Sequence, residues 1–335
     1  MVTSQPVDVA LIEAYLHNLQ LALMNDQAQH AEVLLAHIME LMAQATADQL
    51  SCALPAALPI SLSAGVGLDH GIKRRGIPNE DFVFAAQGMA GAQVPYGLYV
   101  VADGMGGHAN GREASRLATE SVVDFVLPQV RAAQARGTSW GDLLRNGVER
   151  ANALIYERNQ HLTARSAMGT TITAALVVGA EAFVTNVGDS RAYLQRSDVL
   201  RQITRDHSVV ARLVADGIIA PADIYTHPKR NEIYRCLGAA PCVEVDVFRE
   251  LLQDGDVLLL CSDGVWEMIP DERQIADVLS ASWFAADNMA EKLVQLALTA
   301  GGLDNIGLLV IPVRIEDITG MQTIIGPFAG TALIA

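Results

Sequence analysis

Cysteine is scarce. The 335-residue chain has four, Cys52, Cys236, Cys242 and Cys261, and none are in CxxC spacing. A disulfide framework is excluded, and the thiols read as reduced and structural in a cytoplasmic protein. Positive charge is also short, with 23 Lys and Arg against 38 Asp and Glu and a net charge of -15. Neither nucleic acid nor an anionic membrane surface is expected as a partner. No basic segment precedes an apolar run at the start, so no secretory signal is expected. The uncharged stretch from Ile318 to Ala335 is interrupted by Gly320, Gly326, Pro327 and Gly330 and reads as a tail, not a membrane span. His and Cys show no zinc-like spacing, and no internal repeat is visible.

Apolar periodicity is plentiful. In residues 7–47, Leu11, Ile12, Tyr15, Leu16, Leu19 and Leu23 recur at helical spacing. Asn25-Asp26 breaks the run and can cap a second helix carrying Val33, Leu34, Ile38 and Leu41. Such a helical hairpin cannot bury its apolar faces alone. It is either a structural appendage or a dimerisation or docking element. Ala53–Pro59 reads as a linker, which gives three parts: 1–59, 60–315 and a tail at 316–335.

From about residue 60 short apolar, β-branched runs appear at Phe82–Ala85, Leu98–Ala102, Thr171–Val178, Phe183–Val187, Arg191–Leu194, Val257–Cys261 and Gly307–Val313. Helical patterns occupy Arg112–Arg136, Trp140–Gln160, Ser208–Asp216, Asp271–Ser280 and Asp287–Thr299. The loop Gly179-Ala180-Glu181 is too short for a βαβ crossover, so hairpins and an antiparallel sheet are expected. The fold class is α+β, with β-sheets inside and helices outside.

Carboxylates gather at the strand ends. Glu80-Asp81 precede one strand. Asp103 follows another, beside Gly104, Gly106 and Gly107, whose bare backbone lets a carbonyl approach an ion. Asp189, Asp263 and Asp304 also flank strands. Several carboxylates at one end of a sheet cannot all ionise without a compensating charge. A pair of divalent cations supplies it, and oxygen-only ligands favour Mg²⁺ or Mn²⁺ over Zn²⁺. Each acid taken alone is more often a turn or cap residue, and it is the set that points to metal.

Eight short motifs in order carry a resemblance. They begin with Asp69-His70-Gly71 through Asn79-Glu80-Asp81, then Asp103-Gly104-Met105-Gly106-Gly107-His108. Met168-Gly169-Thr170-Thr171, Asn186-Val187-Gly188-Asp189-Ser190-Arg191-Ala192-Tyr193 and Thr204-Arg205-Asp206-His207-Ser208 follow. His227-Pro228-Lys229-Arg230-Asn231, Ser262-Asp263-Gly264-Val265-Trp266 and Asp304-Asn305-Ile306 complete the set. Over roughly residues 62–313 the chain resembles the metal-dependent Ser/Thr protein phosphatases of type 2C, in their bacterial form. The resemblance implies a central antiparallel β-sandwich flanked by helices on both sides. It also implies hydrolysis of phosphoserine and phosphothreonine in phosphorylated proteins by a hydroxide bridging two Mn²⁺ or Mg²⁺ ions. Asp103 would bridge the two metals, and Gly104 would lend its carbonyl. Asp263 and Asp304 would hold the second ion, with Glu80 and Asp81 close by.

Three departures from the family pattern stand out. Gly76 occupies the place of the family's phosphate-clamping Arg, so Arg74 or Arg75 is expected to take that role across a two-residue insertion. Met105 stands where eukaryotic relatives have a proposed acid, and His108 reads as a turn or cap residue. Thr163–Met168 carries no carboxylate before Gly169, so a third metal site is expected to be weak or absent. Asp189 reads as a structural residue of its hairpin, and Trp266 as core. The segment Ala211–Leu237 resembles the flap beside the active site. There His227, Arg230 and Asn231, with Lys229, either attract phosphopeptides or form a solvated loop. Two alternatives are a pseudophosphatase that only binds phosphoproteins and a partner-switching regulator. The flap favours a phosphatase that opposes Ser/Thr kinases.

Overall fold

The computed structural model describes residues 60–90, 94–105, 109–132, 139–163, 166–280 and 285–315. The expected N-terminal hairpin, the linker, His108 and the tail lie outside the described residues.

The chain alternates apolar residues that are buried on both faces of a strand, and this builds two sheets. The first joins β1 (Ile60–Leu62), β2 (Gly65–Asp69), β8 (Arg191–Arg196), β9 (Val199–Gln202), β11 (Val257–Cys261) and β12 (Ile306–Ile315). Its order is β1-β12-β11-β8-β9, with β2 also on β12. The second joins β3 (Asp81–Ala90), β4 (Val94–Met105), β5 (Gly169–Thr170), β6 (Ile172–Val178), β7 (Glu181–Val187) and β10 (Asp246–Leu251). Its order is β10-β7-β6-β4-β3, and β5 pairs with the end of β4. Every pairing is antiparallel. The expected hairpin is β6–β7, closed by Gly179 at φ 56°, a left-handed turn that suits glycine.

Strand β4 shows how the layers form. Leu98 and Val100 face α1 (Ala109–Arg131) and α2 (Trp140–Asn159), among Val122, Val126, Leu144 and Val148. Tyr99 and Val101 face the other sheet, among Leu258, Leu260, Leu309 and Ile311. On the far side Leu259, Leu308 and Val310 meet α4 (Asp263–Trp266), α5 (Glu272–Leu279) and α6 (Ala286–Thr299) through Trp266, Ile275 and Leu293. Helix, sheet, sheet and helix thus enclose three apolar layers. A further short helix, α3 (Val209–Ala215), is capped by Ser208 Oγ, which accepts from Ala211 N. Among the described residues no helix is long and apolar enough to cross a membrane.

Two expectations shift. The strand expected to end before Asp103 runs on through it to Met105, because β5 pairs Thr170 with Gly104. Strands β2 and β10 were not expected. β2 carries Gly65 and Gly67, and β10 is an edge strand with Asp246, Arg249 and Glu250 in its run.

Candidate active site

Glu80 and Asp81 sit where the chain enters β3. Asp81 N donates to Asn79 Oδ1 at 2.9 Å, and Glu80 N donates to Asn305 Oδ1 at 2.9 Å. The Glu80 carbonyl accepts from Gly104 N (3.1 Å) and Ser115 Oγ (2.6 Å). Asp81 is opposite Asp103 in the β3–β4 register. Ser262 Oγ donates to Asp81 Oδ2 at 2.6 Å and accepts from Gly307 N at 3.0 Å. Among the described residues, buried Asp81 Oδ1 has no hydrogen-bond partner.

The backbone of Asp103 is held on both sides by threonine. Its N–H donates to Thr171 Oγ1 (3.0 Å), and its carbonyl accepts from Thr171 N (2.9 Å) and Thr170 Oγ1 (2.8 Å). Glycine makes the site compact. A Cβ on Gly104 would lie 2.1 Å from the Gly111 carbonyl oxygen, and one on Gly111 would lie 2.4 Å from Glu80 Oε1.

Asp263 opens helix α4, behind Ser262 as its N-cap, so its carboxylate stands in the first turn of a helix instead of on a strand tip. Asp304 precedes β12, and its Oδ1 accepts from Asn305 N at 2.7 Å. Gly264 lies so close to that loop that a Cβ would be 1.8 Å from Asn305 O.

These backbones bring five carboxylates to one end of the sandwich. Burial pushes Asp81 up to about 7. Burial, then Asp81, Asp263, Asp189 and Asp304, holds the Asp103 carboxyl well above the usual range. Burial, then Asp189 and Asp304, does the same for Asp263. Asp103 and Asp263 are each half-buried. Arg74 is the cation within the group. Its guanidinium donates to Glu80 Oε2 (3.1 Å) and to an Asp304 carboxylate oxygen (2.9 Å). Burial would lower its pKa, but Asp304, Glu80 and Asp103 raise it.

Among the described residues no three His, Cys, Asp or Glu side chains close around one point as a finished metal cage. The donor chemistry still fits hard divalent cations. The donors are all oxygens, more negative charge is present than Arg74 can neutralise, and Asp81 Oδ1 is buried without a donor among the described residues.

Asp189 stands beside the cluster. Burial, then Asp206, pushes it up to about 7. Its backbone carbonyl accepts from Trp266 Nε1 at 3.0 Å, and Trp266 is buried as expected. Arg75 turns away from the carboxylates into a neighbouring cleft. In the flap segment, His227 Nδ1 accepts from Lys229 N at 3.1 Å and the His227 carbonyl accepts from Arg230 N at 3.1 Å. Asn231 makes no side-chain hydrogen bond among the described residues. Burial raises the Glu267 carboxyl, Arg230 opposes that rise and Asp304 adds to it. Glu267 escaped sequence reading because only the turn of α4 carries it back to Asp304. Ser166 Oγ lies 2.9 Å from Thr163 Oγ1, and the Ser166 carbonyl accepts from Asn110 Nδ2 at 2.7 Å.

Comparison with known proteins identifies the family. The family model "Protein phosphatase 2C" matches residues 70–297. The serine/threonine phosphatase stp of Listeria welshimeri is 36% identical over 215 residues, which is 64% of this chain and 83% of the relative. Protein phosphatase PhpP of Streptococcus pneumoniae is 34% identical over 250 residues, 74% of this chain and 96% of the relative. Among solved structures, the S. agalactiae serine/threonine phosphatase has a TM-score of 0.67 at 32% identity and covers 76% of this chain and 100% of its own. The catalytic domain of the serine/threonine phosphatase PstP, in complex with two manganese ions, has a TM-score of 0.63 at 32% identity, covering 76% and 99%. The segment matched by the family model contains Glu80, Asp81, Asp103 and Asp263, and a likeness of this extent makes the chain a member of the protein phosphatase 2C family of serine/threonine phosphatases.

Proposed function

We propose that residues 60–315 form a dinuclear phosphatase unit that hydrolyses phosphoserine and phosphothreonine in proteins and opposes Ser/Thr kinases. The observation that carries this reading is the set of buried, mutually repelling carboxylates at one end of the sandwich. Asp103 would serve both ions and the Gly104 carbonyl one of them, Asp263 and Asp304 would hold the other, and Glu80 and Asp81 would lie close by. Two Mn²⁺ or Mg²⁺ ions, when bound, supply an acidified water and neutralise phosphoryl charge. Arg74, released from Glu80 and Asp304 by that added positive charge, has the fork geometry to hold a phosphate bidentately. Asn79, Asn305, Ser262 and Thr171 fix the carboxylates by backbone and side-chain hydrogen bonds. Thr163–Met168 offers no acidic side chain, so a third ion is held weakly or not at all.

The test is hydrolysis of p-nitrophenyl phosphate and of a phosphothreonine peptide by wild type and Asp103→Ala, with Mn²⁺, Mg²⁺ or EDTA. Turnover that needs a metal and is lost in the variant is the expected result. Manganese binding by wild type without turnover of either substrate would overturn it in favour of a binding protein.

A further inference from the structure

A cleft of about 340 Å³ borders the carboxylate cluster. Asp69, His70, Arg75, Arg112 and the turn 76–78 line it. It shares a wall with the site. Asn305 Nδ2 donates to the His70 carbonyl (3.0 Å), and Asn79 Nδ2 donates to the Asp69 carbonyl (3.0 Å). Arg112 follows Gly111, the residue pressed against Glu80. Arg74 and Arg75 are consecutive, and they diverge, one into the cluster and one into the cleft.

Two arginines of this one cleft lack an ion-pair partner among the described residues, as do Arg205, Arg273 and Arg314 elsewhere on the chain. With 38 Asp and Glu against 23 Lys and Arg, an arginine has no shortage of acidic partners. Arg74, Arg116, Arg158, Arg191, Arg196 and Arg201 all have one. Among the described residues Arg75 and Arg112 have none. Burial lowers the Arg112 pKa, and its neighbour Arg116 lowers it further. The one carboxylate in the lining, Asp69, is already engaged, since its Oδ1 accepts from Gly71 N at 2.7 Å. Two unpaired guanidiniums outweigh it. An anion placed here would gain charge-assisted hydrogen bonds without displacing an existing ion pair.

Resting on the phosphatase reading, we propose that this cleft is a second anion subsite, which takes a carboxylate or phosphate carried by the phosphoprotein substrate near its phosphoserine or phosphothreonine. The enzyme then prefers acidic or multiply phosphorylated sequences. The net charge of -15 works the other way at long range, so the preference is a local one.

Two phosphothreonine peptides separate the possibilities, one flanked by glutamates and one by glutamines, assayed with Mn²⁺ at low ionic strength. For wild type kcat/KM is expected to be about tenfold higher on the glutamate peptide, and added salt shrinks the ratio. In Arg112→Ala the ratio falls to about one, and Arg112→Lys restores part of it. Because each enzyme is its own reference, a general loss of activity does not move the ratio. Equal rates on the two peptides in wild type overturn the subsite. A ratio that persists in both Arg112→Ala and the Arg75→Ala/Arg112→Ala double variant also overturns it. If wild type hydrolyses neither peptide, the phosphatase reading falls and takes the subsite with it.

Discussion

Two groups of buried charge lie near each other, and they are built on opposite principles. Around Arg191 every polar atom has a partner. Its Nε and Nη2 clamp Asp206 at 3.1, 3.0 and 2.7 Å, and Nη1 donates to Tyr193 Oη at 2.9 Å. Gln202 Nε2 donates to Asp206 at 2.8 Å, and the guanidinium stacks 3.6 Å from the Trp266 ring centroid. Around Asp103 the carboxylates outnumber the one arginine, and buried Asp81 Oδ1 has no donor among the described residues. A closed network of the first kind makes a unique core. An open one costs stability and persists where something outside the chain completes it. Asp189 lies between them, near Asp103 on one side and Asp206 on the other, and each group can be substituted separately.

The largest expected effect is in the open group. Asp263→Asn removes a ligand charge at nearly constant volume, and kcat/KM on a phosphothreonine peptide should fall by about a thousandfold. The same change relieves repulsion, so the variant's melting temperature in EDTA should equal or exceed that of wild type. Full activity, or marked destabilisation in EDTA, would place Asp263 among the satisfied structural residues instead.

The closed group should respond the other way round. Asp206→Asn leaves the Arg191 guanidinium buried without its counter-ion, which costs about 3 kcal/mol. Urea unfolding would report the loss, while turnover of the folded fraction stays within about threefold of wild type. A variant that unfolds like wild type but has lost turnover would mean that the Arg191 pair serves catalysis and not the fold.

The same contrast explains what the sequence made legible. Leu98–Ala102, Val257–Cys261 and the β6–β7 hairpin announce themselves because strands buried on both faces are continuous apolar runs. The acids were legible because each lies beside a strand or a glycine. Their supports were not. Ser262 reaches Asp81 across 181 residues, Asn305 reaches Glu80 across 225, and Arg74 reaches Asp304 across 230. No local pattern encodes such pairs. β2 was hidden by the glycines that its packing requires, since a Cβ on Gly65 would meet the Ala286 carbonyl at 2.0 Å. The choice between Arg74 and Arg75 also depended on tertiary contacts, because only the cluster draws one side chain in.

The smallest effect is also the most direct measure of the open group. A carboxyl whose folded pKa lies above its unfolded value holds its proton more tightly when folded. It therefore favours the fold at low pH, and that advantage disappears as pH rises through the folded pKa. Asp81 and Asp189 move from an ordinary 3.8 to about 7, and Asp103 and Asp263 shift in the same direction. In EDTA the protein should lose stability between about pH 4 and pH 7, with a melting temperature about 5 °C lower at pH 7 than at pH 5. Manganese should reverse the slope, because ligands bind metal as carboxylates and an ion that binds only the folded state stabilises it more as they deprotonate. Asp263→Asn should flatten the EDTA profile. A melting temperature in EDTA that rises from pH 5 to pH 7 would show that the carboxylates are compensated within the chain, and the contrast between the two groups would collapse.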